Sequence, residues 1–329
     1  MSPDPSLNQQ PGVPPPTTTT PAGQQHTQQK QNTIIDDKSP HCIPFIISHL
    51  HHHLADPIKA NRPFVVGLNG IQGAGKTTLV SALAENLRVK EGLETLVLSI
   101  DDLYLTREDQ VKLASEHAAN KLVQYRGEPG THDMQLAHAT ITSLLSNRET
   151  KIPSYDKSLH SGLGDRLPLS QWKTVNGPSQ PPIRVIVLEG WCVGFRSLPP
   201  STIAAKQASP TSLTLQNHKL EDLLFVNEKL REYDVLTDAF DAFIHIDAED
   251  TRWVYDWREE QESALRRERG VGMSVEEVKN FVDAYFPAYE LFVEGVRDGV
   301  LKGMGQDGKA RQLRLVVGKD RRVKQVLEI

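Results

Sequence analysis

The residue pattern with the clearest chemistry is a glycine-rich segment between an apolar run (62–70) and a helix-periodic run (76–92). It matches G-x-x-x-x-G-K-S/T and consists of Gly70, Ile71, Gln72, Gly73, Ala74, Gly75, Lys76, Thr77 and Thr78. Its glycines allow backbone N–H groups to converge on a polyphosphate at the N-terminus of the following helix. Lys76 can reach the β- and γ-phosphates, and the Thr77 hydroxyl can ligate Mg²⁺. The segment therefore predicts a nucleotide-binding loop with Mg²⁺ beside it.

Acidic residues follow two further apolar runs. Glu189 lies at the end of the run 183–190, and Asp101 and Asp102 come directly after the run 93–100. Ligands of doubly wound sheets bind beyond the carboxyl ends of the strands, so we expect these acids near the glycine-rich loop. Glu189 can hold Mg²⁺ or its water, and a carboxylate of the pair can orient and deprotonate an acceptor hydroxyl. Adjacent strand residues point to opposite faces, so one member of the pair could instead cap the helix expected at about residue 106.

A nucleotide-binding loop alone fits a kinase, a GTPase switch or an ATP-driven motor. Guanine specificity requires N/T-K-x-D after a late strand, and the nearest string, "GKD" at 318–320, lacks the Asn or Thr. This string is therefore discounted as a guanine-specificity motif. A kinase and an ATP-binding regulatory protein that acts without an acceptor both remain open at this point.

Composition and charge exclude several classes of protein. The 329 residues include 37 basic and 42 acidic side chains, a net charge of −5, which gives no broad footprint for nucleic acid or membrane. Two cysteines supply neither a disulfide framework nor a zinc quartet and favour a reducing compartment. The sequence contains no apolar run of about 18 residues and no recognisable targeting segment. We expect a cytoplasmic protein, with the nucleus as an alternative, and the oligomeric state is open.

Hydrophobic patterning divides the chain into a tail and one large domain. Residues 1–39 are rich in Pro, Thr and Gln and predict a disordered low-complexity tail before a domain at 40–329. A loop is expected at 156–182 and a disordered insert at 199–216. Helices are expected at 42–58, 76–92, 219–239, 250–268 and 274–297, the last with a capping box from Ser274 to Glu277. The histidines of "HLHHHL" (49–54) indicate either a metal site or the polar face of the first helix.

The expected strands lie at 62–70, 93–100, 183–190, 242–248 and 312–318, with helical segments between them. Alternation of strands and helices predicts an α/β fold with a mostly parallel central sheet and helices on both of its faces.

Six ordered motifs between about residues 62 and 318 accompany the nucleotide-binding loop and resemble the D-glycerate 3-kinase family of plants and fungi. That family lies within the superfamily of uridine kinase, phosphoribulokinase and bacterial pantothenate kinase. The motifs are "SIDDLYLT" (99–106), "YRGEPGTHD" (125–133), "IPSYDKS" (152–158), "GDR" (164–166), "LEGWCVGF" (188–195) and "GMSVEEVKNFVDAYFPAYE" (272–290). Residues 199–216 and the first 60 residues fall outside the resemblance.

The resemblance implies a P-loop NTPase fold with a helical lid and Mg²⁺-dependent transfer of the ATP γ-phosphate to a small acceptor. D-glycerate, phosphorylated at its 3-hydroxyl, is the expected acceptor, and a nucleoside, pantothenate or another sugar acid is the alternative. Asp101 matches the Asp of S-x-D-x-x-Y and is the expected general base and a Mg²⁺ ligand, alongside Thr77 and Glu189. Acceptor contacts are expected from Asp102, Tyr104, Arg126, His132, Tyr155, Lys157 and Arg166. Arg126 could equally be a solvated loop residue, and Arg166 could pair with Asp165.

The segment 255–270 places four arginines along one helix, Arg258, Arg266, Arg267 and Arg269. Similar helices in the resembling kinases form a lid whose arginines neutralise charge on the transferring phosphate. Arg258 or Arg266 is expected in that role. Glutamates alternate with these arginines, so a solvated helix with internal ion pairs is the alternative.

Overall fold

The computed structural model describes residues 36–301, 308 and 310–329. The expected disordered tail lies outside the described residues as far as residue 35. The compact unit begins at Asp36, slightly earlier than the boundary expected from the sequence, because the Asp36 carboxylate accepts hydrogen bonds from the backbone N–H groups of Lys38 and Ser39 at the start of the first helix.

A six-stranded sheet of order β10-β9-β8-β1-β7-β2 forms the centre of this unit. All neighbours in it are parallel except the edge pair of β9 and β10, which is antiparallel. Two small two-stranded sheets pair β3 with β6 and β4 with β5, and of these strands β5 and β6 lie within the long loop expected at 156–182. The strands are β1 (Phe64–Gly70), β2 (Thr95–Ser99), β3 (Thr150–Ile152), β4 (Tyr155–Asp156), β5 (Asp165–Arg166), β6 (Lys173–Val175), β7 (Val185–Gly190), β8 (Ala242–Ala248), β9 (Gln312–Val317) and β10 (Val323–Glu328).

Helices cover both faces of the sheet, as expected. Every residue of β1 and of β8 is buried, which requires packing against both sides of these strands. The helices are α1 (Ser39–Ala55), α2 (Lys76–Val89), α3 (Arg107–Glu116), α4 (Met134–Leu145), α5 (Pro200–Ala208), α6 (Leu220–Leu230), α7 (Asp234–Thr237), α8 (Trp253–Arg269), α9 (Val275–Asp283) and α10 (Phe286–Arg297). No helix among the described residues is long and apolar enough to cross a membrane.

The five strands expected from apolar runs are all present, with ends within two residues of those predicted. The sequence analysis missed β10, the outer edge strand, which follows a basic turn and is largely exposed. An exposed edge strand carries no continuous apolar run, so its pairing with β9 was not visible in the pattern.

The expected helix at 274–297 is two helices. The capping box of Ser274 and Glu277 is present and opens α9, but α9 ends at Asp283. Pro287 stands in the first turn of α10, where a missing N–H costs nothing, whereas inside one long helix it would break a hydrogen bond. The expected helix at 219–239 is likewise divided, into α6, a 3-10 turn and α7.

The prediction of a disordered insert at 199–216 is wrong. Helix α5 lies there and buries Ile203 completely, and Leu215 is buried further along. The Glu290 carboxylate of α10 accepts hydrogen bonds from the backbone N–H groups of Leu213 and Thr214. Two apolar anchors and one half-buried carboxylate therefore order a segment whose composition is poor in large apolar side chains.

Candidate active site

The glycine-rich loop connects β1 to α2, as the motif predicts, and its backbone needs glycine at two positions. Gly73 and Gly75 have φ values of +84° and +94°, in the left-handed region that disfavours other residues. A Cβ atom on Gly73 would also lie 2.6 Å from the Cβ of Trp257 in α8. The loop is thus shaped both by its own glycines and by the helix packed against it.

Lys76 is the first residue of α2, and its ammonium group turns back toward the loop. Its Nζ donates hydrogen bonds to the carbonyl oxygens of Gly70 at 2.7 Å and Ile71 at 3.3 Å. Burial lowers the pKa of Lys76, and the nearby Glu189 and Asp101 carboxylates oppose this shift. The two acids predicted from separate strands therefore lie close enough to act on the loop lysine.

Residues remote in sequence support the loop. Tyr285 donates a hydrogen bond from its hydroxyl to Gln72 Oε1 at 2.8 Å, and the Gln72 N–H donates to the Tyr289 hydroxyl at 3.3 Å. Arg321, in the turn between β9 and β10, donates from Nε to the carbonyl oxygen of Gly73 at 2.8 Å. The sequence analysis assigned no such role to these three residues. The tyrosines lie in a quoted motif, whereas nothing local to Arg321 signals its role.

Asp101 and Asp102 lie in a 3-10 turn, Ile100–Leu103, directly after β2. Asp101 Oδ2 forms an ion pair with Lys157, and Asp102 Oδ1 accepts a hydrogen bond from the Tyr155 backbone N–H at 3.1 Å. Neither aspartate caps the following helix, because Thr106 does so. The turn brings both carboxylates to the segment that begins at β4, but with different partners.

The pKa values of the two aspartates are shifted in opposite directions. Burial disfavours the charge on Asp101, but the Lys157 ammonium and its hydrogen bond hold the pKa of Asp101 below its ordinary value. Burial and the neighbouring Asp101 charge instead raise the pKa of Asp102. Asp101 is therefore the member of the pair that is held ionised beside Lys76.

The donor set at this edge of the sheet fits Mg²⁺. Strand β7 lies between β1 and β2, and Glu189 is in register with Leu68 on one side and Ser99 on the other. The Thr77 side chain is exposed at the start of α2. Asp101 Oδ1 is buried and has no hydrogen-bond partner among the described residues. Hard oxygen atoms from a hydroxyl and two carboxylates are the ligands that this ion prefers.

Aromatic side chains form one wall next to Asp101. The Tyr104 and His132 rings stack with centroids 4.3 Å apart, and Tyr155 meets Tyr104 edge-on at 5.4 Å. A backbone bridge joins Tyr104 to His132. The segments "SIDDLYLT", "YRGEPGTHD" and "IPSYDKS", which the sequence analysis linked to one acceptor pocket, therefore converge.

Arg126 and Arg166 are more engaged with the protein than the sequence analysis expected. Arg126 donates to the carbonyl oxygens of Gly162, at 2.9 Å, and of Leu163, and lies 5.7 Å from the centre of the Tyr155 ring. Arg166 donates to the Tyr104 carbonyl oxygen at 2.8 Å and pairs with Asp133 at 3.0 Å. The alternative side-chain pair of Arg166 with Asp165 is not formed. Both arginines hold together the loops that carry this aromatic wall.

The expected lid arginines both form ion pairs within the pair of helices α8 and α9. Arg258 contacts Glu262 Oε1 at 2.6 Å and lies 4.7 Å from the centre of the Phe281 ring, while its Nε has no partner among the described residues. Arg266 donates to the Met273 carbonyl oxygen and pairs with Glu259. Arg266 therefore fixes the turn between the two helices, and Arg258 retains an unused donor.

The histidines of "HLHHHL" lie in α1, remote from the loop. His53 is buried, donates from Nε2 to the Arg62 carbonyl oxygen at 3.0 Å, and lies 3.6 Å from Asp241. Among residues 36–301, 308 and 310–329, no three His, Cys, Asp or Glu side chains lie together in a way that could hold a metal ion. The run is helical, as expected, but only His51 and His52 lie on the exposed face, whereas His49 and His53 are buried.

Comparison with known proteins places the chain among kinases. The uncharacterized kinase mug58 of Schizosaccharomyces pombe is 38% identical over 240 residues, which are 72% of this chain and 83% of that protein. The solved structure of D-glycerate 3-kinase from Cryptococcus neoformans is 33% identical, with a TM-score of 0.79 over 88% of this chain and 99% of that chain. The chain belongs to the D-glycerate 3-kinase family.

The plant member of the D-glycerate 3-kinase family, the chloroplastic enzyme of Arabidopsis thaliana, is 37% identical over 235 residues. This match covers 70% of the present chain and 48% of the plant protein, so the chain spans about half of that relative. No family model matches the sequence. As a member of this family the chain is an ATP-dependent kinase with an alcohol group as acceptor, and its fold is that of the P-loop kinases.

Proposed function

We propose that this kinase transfers the γ-phosphate of ATP to the 3-hydroxyl of D-glycerate. The observation that carries the proposal is the ion pair of Asp101 with Lys157 beside Lys76. This pair combines an ionised carboxylate with an exposed lysine ammonium group, close to the lysine of the nucleotide loop. The names of the plant and Cryptococcus relatives support D-glycerate as the acceptor.

Asp101 acts on the acceptor hydroxyl. Its carboxylate accepts the hydroxyl hydrogen bond, orients the oxygen toward the γ-phosphorus and takes the proton as the new P–O bond forms and the bond to ADP breaks. A carboxylate with a lowered pKa is ionised near neutral pH but is a weak base. Before the transition state it therefore mainly orients the acceptor hydroxyl. Lys157 competes for the same oxygen until the acceptor arrives.

Lys157 supplies the cation for the acceptor carboxylate. Its side chain is 56% exposed, in contrast to the 26% of Asp101, so the ammonium group can leave Asp101 without disturbing the protein core. Arg126 and Arg166 hold the loops around Lys157 in place. Their remaining N–H groups can donate hydrogen bonds to the acceptor carboxylate. Tyr104 and Tyr155 exclude water from this side of the pocket.

Phosphate charge is neutralised from the nucleotide side. Lys76 leaves the carbonyl oxygens of the loop for the β- and γ-phosphates, and the loop N–H groups bind the same oxygens. When bound, Mg²⁺ supplies further neutralisation of the phosphate oxygens, with Thr77, Asp101 and Glu189 as the residues that hold it or its waters. Arg258, whose Nε has no hydrogen-bond partner among the described residues, is the lid arginine proposed to approach the transferring group.

A panel of acceptors tests the proposal. ADP release from ATP and Mg²⁺ is measured with D-glycerate, L-glycerate, uridine, pantothenate and gluconate at equal concentrations. We expect turnover with D-glycerate and 3-phosphoglycerate as the product, with at least tenfold lower kcat/KM for the others. Preference for another acceptor, or ADP release that is the same without any acceptor, would refute D-glycerate as the substrate.

A further inference from the structure

His132 is the last member of a short chain of hydrogen bonds that the sequence did not reveal. The Gly130 backbone N–H donates to the Tyr233 hydroxyl oxygen at 3.1 Å, and that oxygen lies 2.6 Å from His132 Nδ1. His132 and Tyr233 are both buried, with 4% and 3% of their surface exposed. Tyr233 belongs to the 3-10 turn after α6, a hundred residues from the motif that contains His132.

Assigning donors and acceptors along this chain of hydrogen bonds determines which ring nitrogen of His132 carries the proton. The Tyr233 oxygen already accepts from Gly130, and its single O–H has no other acceptor than His132 Nδ1 among the described residues. The Tyr233 O–H therefore donates to Nδ1, which must be unprotonated. Burial also lowers the pKa of His132 to about 4, so the ring is neutral and its one proton is on Nε2.

The Nε2–H group is a buried donor without a hydrogen-bond partner in the described part of the chain. Buried donors are normally paired, and an unpaired one points to a missing ligand. A second buried atom without a hydrogen-bond partner in that part of the chain is Asp101 Oδ1. The charge of Asp101 acts on the pKa of both His132 and Tyr104, whose rings are stacked, so these three groups lie close together.

We propose that His132 Nε2–H is a fixed donor for the acceptor oxygen next to the reacting hydroxyl, and that Tyr233 is the residue that positions it. Asp101 then binds the hydroxyl that becomes phosphorylated, and His132 binds the oxygen on the adjacent carbon. This assignment rests on the proposed glycerate kinase function and makes His132 a determinant of specificity. An acceptor without the second oxygen leaves the N–H unpaired and binds less well.

The tautomer is tested by ¹⁵N NMR of the full chain labelled at histidine, with His132→Gln used to assign the signal. We expect an unprotonated Nδ1 and a protonated Nε2 between pH 6 and 8. Tyr233→Phe removes the O–H donor, and we expect the His132 signal to move toward the Nδ1-protonated form. The exposed Tyr125, in the same motif as His132, provides the matched control Tyr125→Phe, which leaves the signal in place. A protonated Nδ1 in the wild type would overturn the proposal.

Specificity is tested with D-glycerate and 3-hydroxypropionate, which lacks the 2-hydroxyl. We expect the wild type to favour D-glycerate by about 10- to 100-fold in kcat/KM. His132→Leu should lose most of this preference by losing activity on D-glycerate alone, with an unchanged KM for ATP. His132→Gln, which keeps an N–H near the Nε2 position, should restore part of it, and Tyr233→Phe should lower it about tenfold.

An equal loss for both acceptors in His132→Leu would mean that the side chain serves only packing and would overturn the specificity role. If the wild type does not turn over D-glycerate, the proposed function fails. The NMR experiment still decides the tautomer and the role of Tyr233 in that case, because it requires no acceptor.

Discussion

Arg321 donates a hydrogen bond from Nε to the carbonyl oxygen of Gly73 at 2.8 Å, and its guanidinium lies 5.2 Å from the centre of the Trp257 ring. It also pairs with Glu260 of α8. The turn between the last two strands thus joins the nucleotide loop to the helix of the expected lid. Lys38, at the start of the described chain, extends the connection by donating to the Arg321 carbonyl oxygen at 2.7 Å.

Arg321→Ala should weaken ATP binding without affecting the acceptor. Loss of a charged hydrogen bond costs about 1.5–3 kcal/mol, so we expect the KM for ATP to rise by about tenfold or more. The KM for the acceptor should change less than twofold. Steady-state kinetics with each substrate varied measures both, and Arg322→Ala, at the adjacent exposed position, is the matched control. Equal KM values for ATP in the two variants would contradict the supporting role of Arg321.

Gly73→Ala and Gly75→Ala separate the strain of the loop from its packing. Both positions have positive φ, so each substitution carries a backbone penalty of about 1–2 kcal/mol. At Gly73 the new methyl group also meets Trp257, whereas at Gly75 the nearest atoms, on Lys38, are 4.0 Å away. Calorimetric titration with ATP should therefore show a larger loss of affinity for Gly73→Ala. The prediction fails if the two variants bind ATP equally.

Asp101→Asn and Lys76→Ala should both abolish phosphate transfer for different reasons. Asp101→Asn removes the carboxylate that orients the acceptor, with an expected fall in kcat of about 10²–10⁴-fold and ATP binding retained. Lys76→Ala removes the cation at the β- and γ-phosphates, so ATP affinity falls as well. Rapid-quench measurement of transfer and calorimetry of ATP binding distinguish the two. A regulatory protein without an acceptor would instead keep its function in cells after Asp101→Asn.

The two lid arginines should respond differently to substitution by alanine. Arg258→Ala should lower kcat by about 10²-fold or more with little change in either KM, because a guanidinium at the transferring phosphate acts in the transition state. Arg266→Ala should mainly loosen the turn between α8 and α9, since its contacts are with Glu259 and Met273. Hydrogen exchange at residues 270–274 measures that loosening. A larger loss of kcat in Arg266→Ala would reverse the assignment.

The pair of Arg62 and Asp241, at the opposite end of β1 from the nucleotide loop, should make stability depend on pH. Burial opposes the charge on Asp241, but the contacts of His53 and Arg62 hold its pKa at about 2, below the usual 3.8. Such a lowered pKa contributes about 2 kcal/mol above pH 4, which disappears as the pH falls toward 2.

Arg62→Met should therefore destabilise the folded protein at pH 7 and much less at pH 2.5. Urea unfolding at the two pH values measures the difference. Arg196→Met is the control, since its partners Asp234 and Asp238 are 39% and 67% exposed, against 10% for Asp241, and more exposed ion pairs contribute less. A loss in Arg62→Met that is the same at both pH values would show that the carboxylate charge is not responsible.

Local patterns were sufficient for the parts of the site that follow directly from a strand. The glycine-rich loop, Asp101 and Glu189 each stand at the end of an apolar run, and parallel strands carry their ends to one edge of the sheet. The sequence analysis missed the break before α10, although Pro287 is a local signal for it, because proline inside a helix removes a hydrogen bond. These features depend on residues that are neighbours in the chain.

The tertiary structure alone decided which remote groups complete the site. Lys157 lies 56 positions from Asp101, and Arg321 lies 248 positions from Gly73. Such pairs form because the sheet brings distant turns together, and neither periodicity nor composition encodes which turns those are. For the same reason Tyr233 was invisible in the sequence, although its hydroxyl determines which nitrogen of His132 carries a proton.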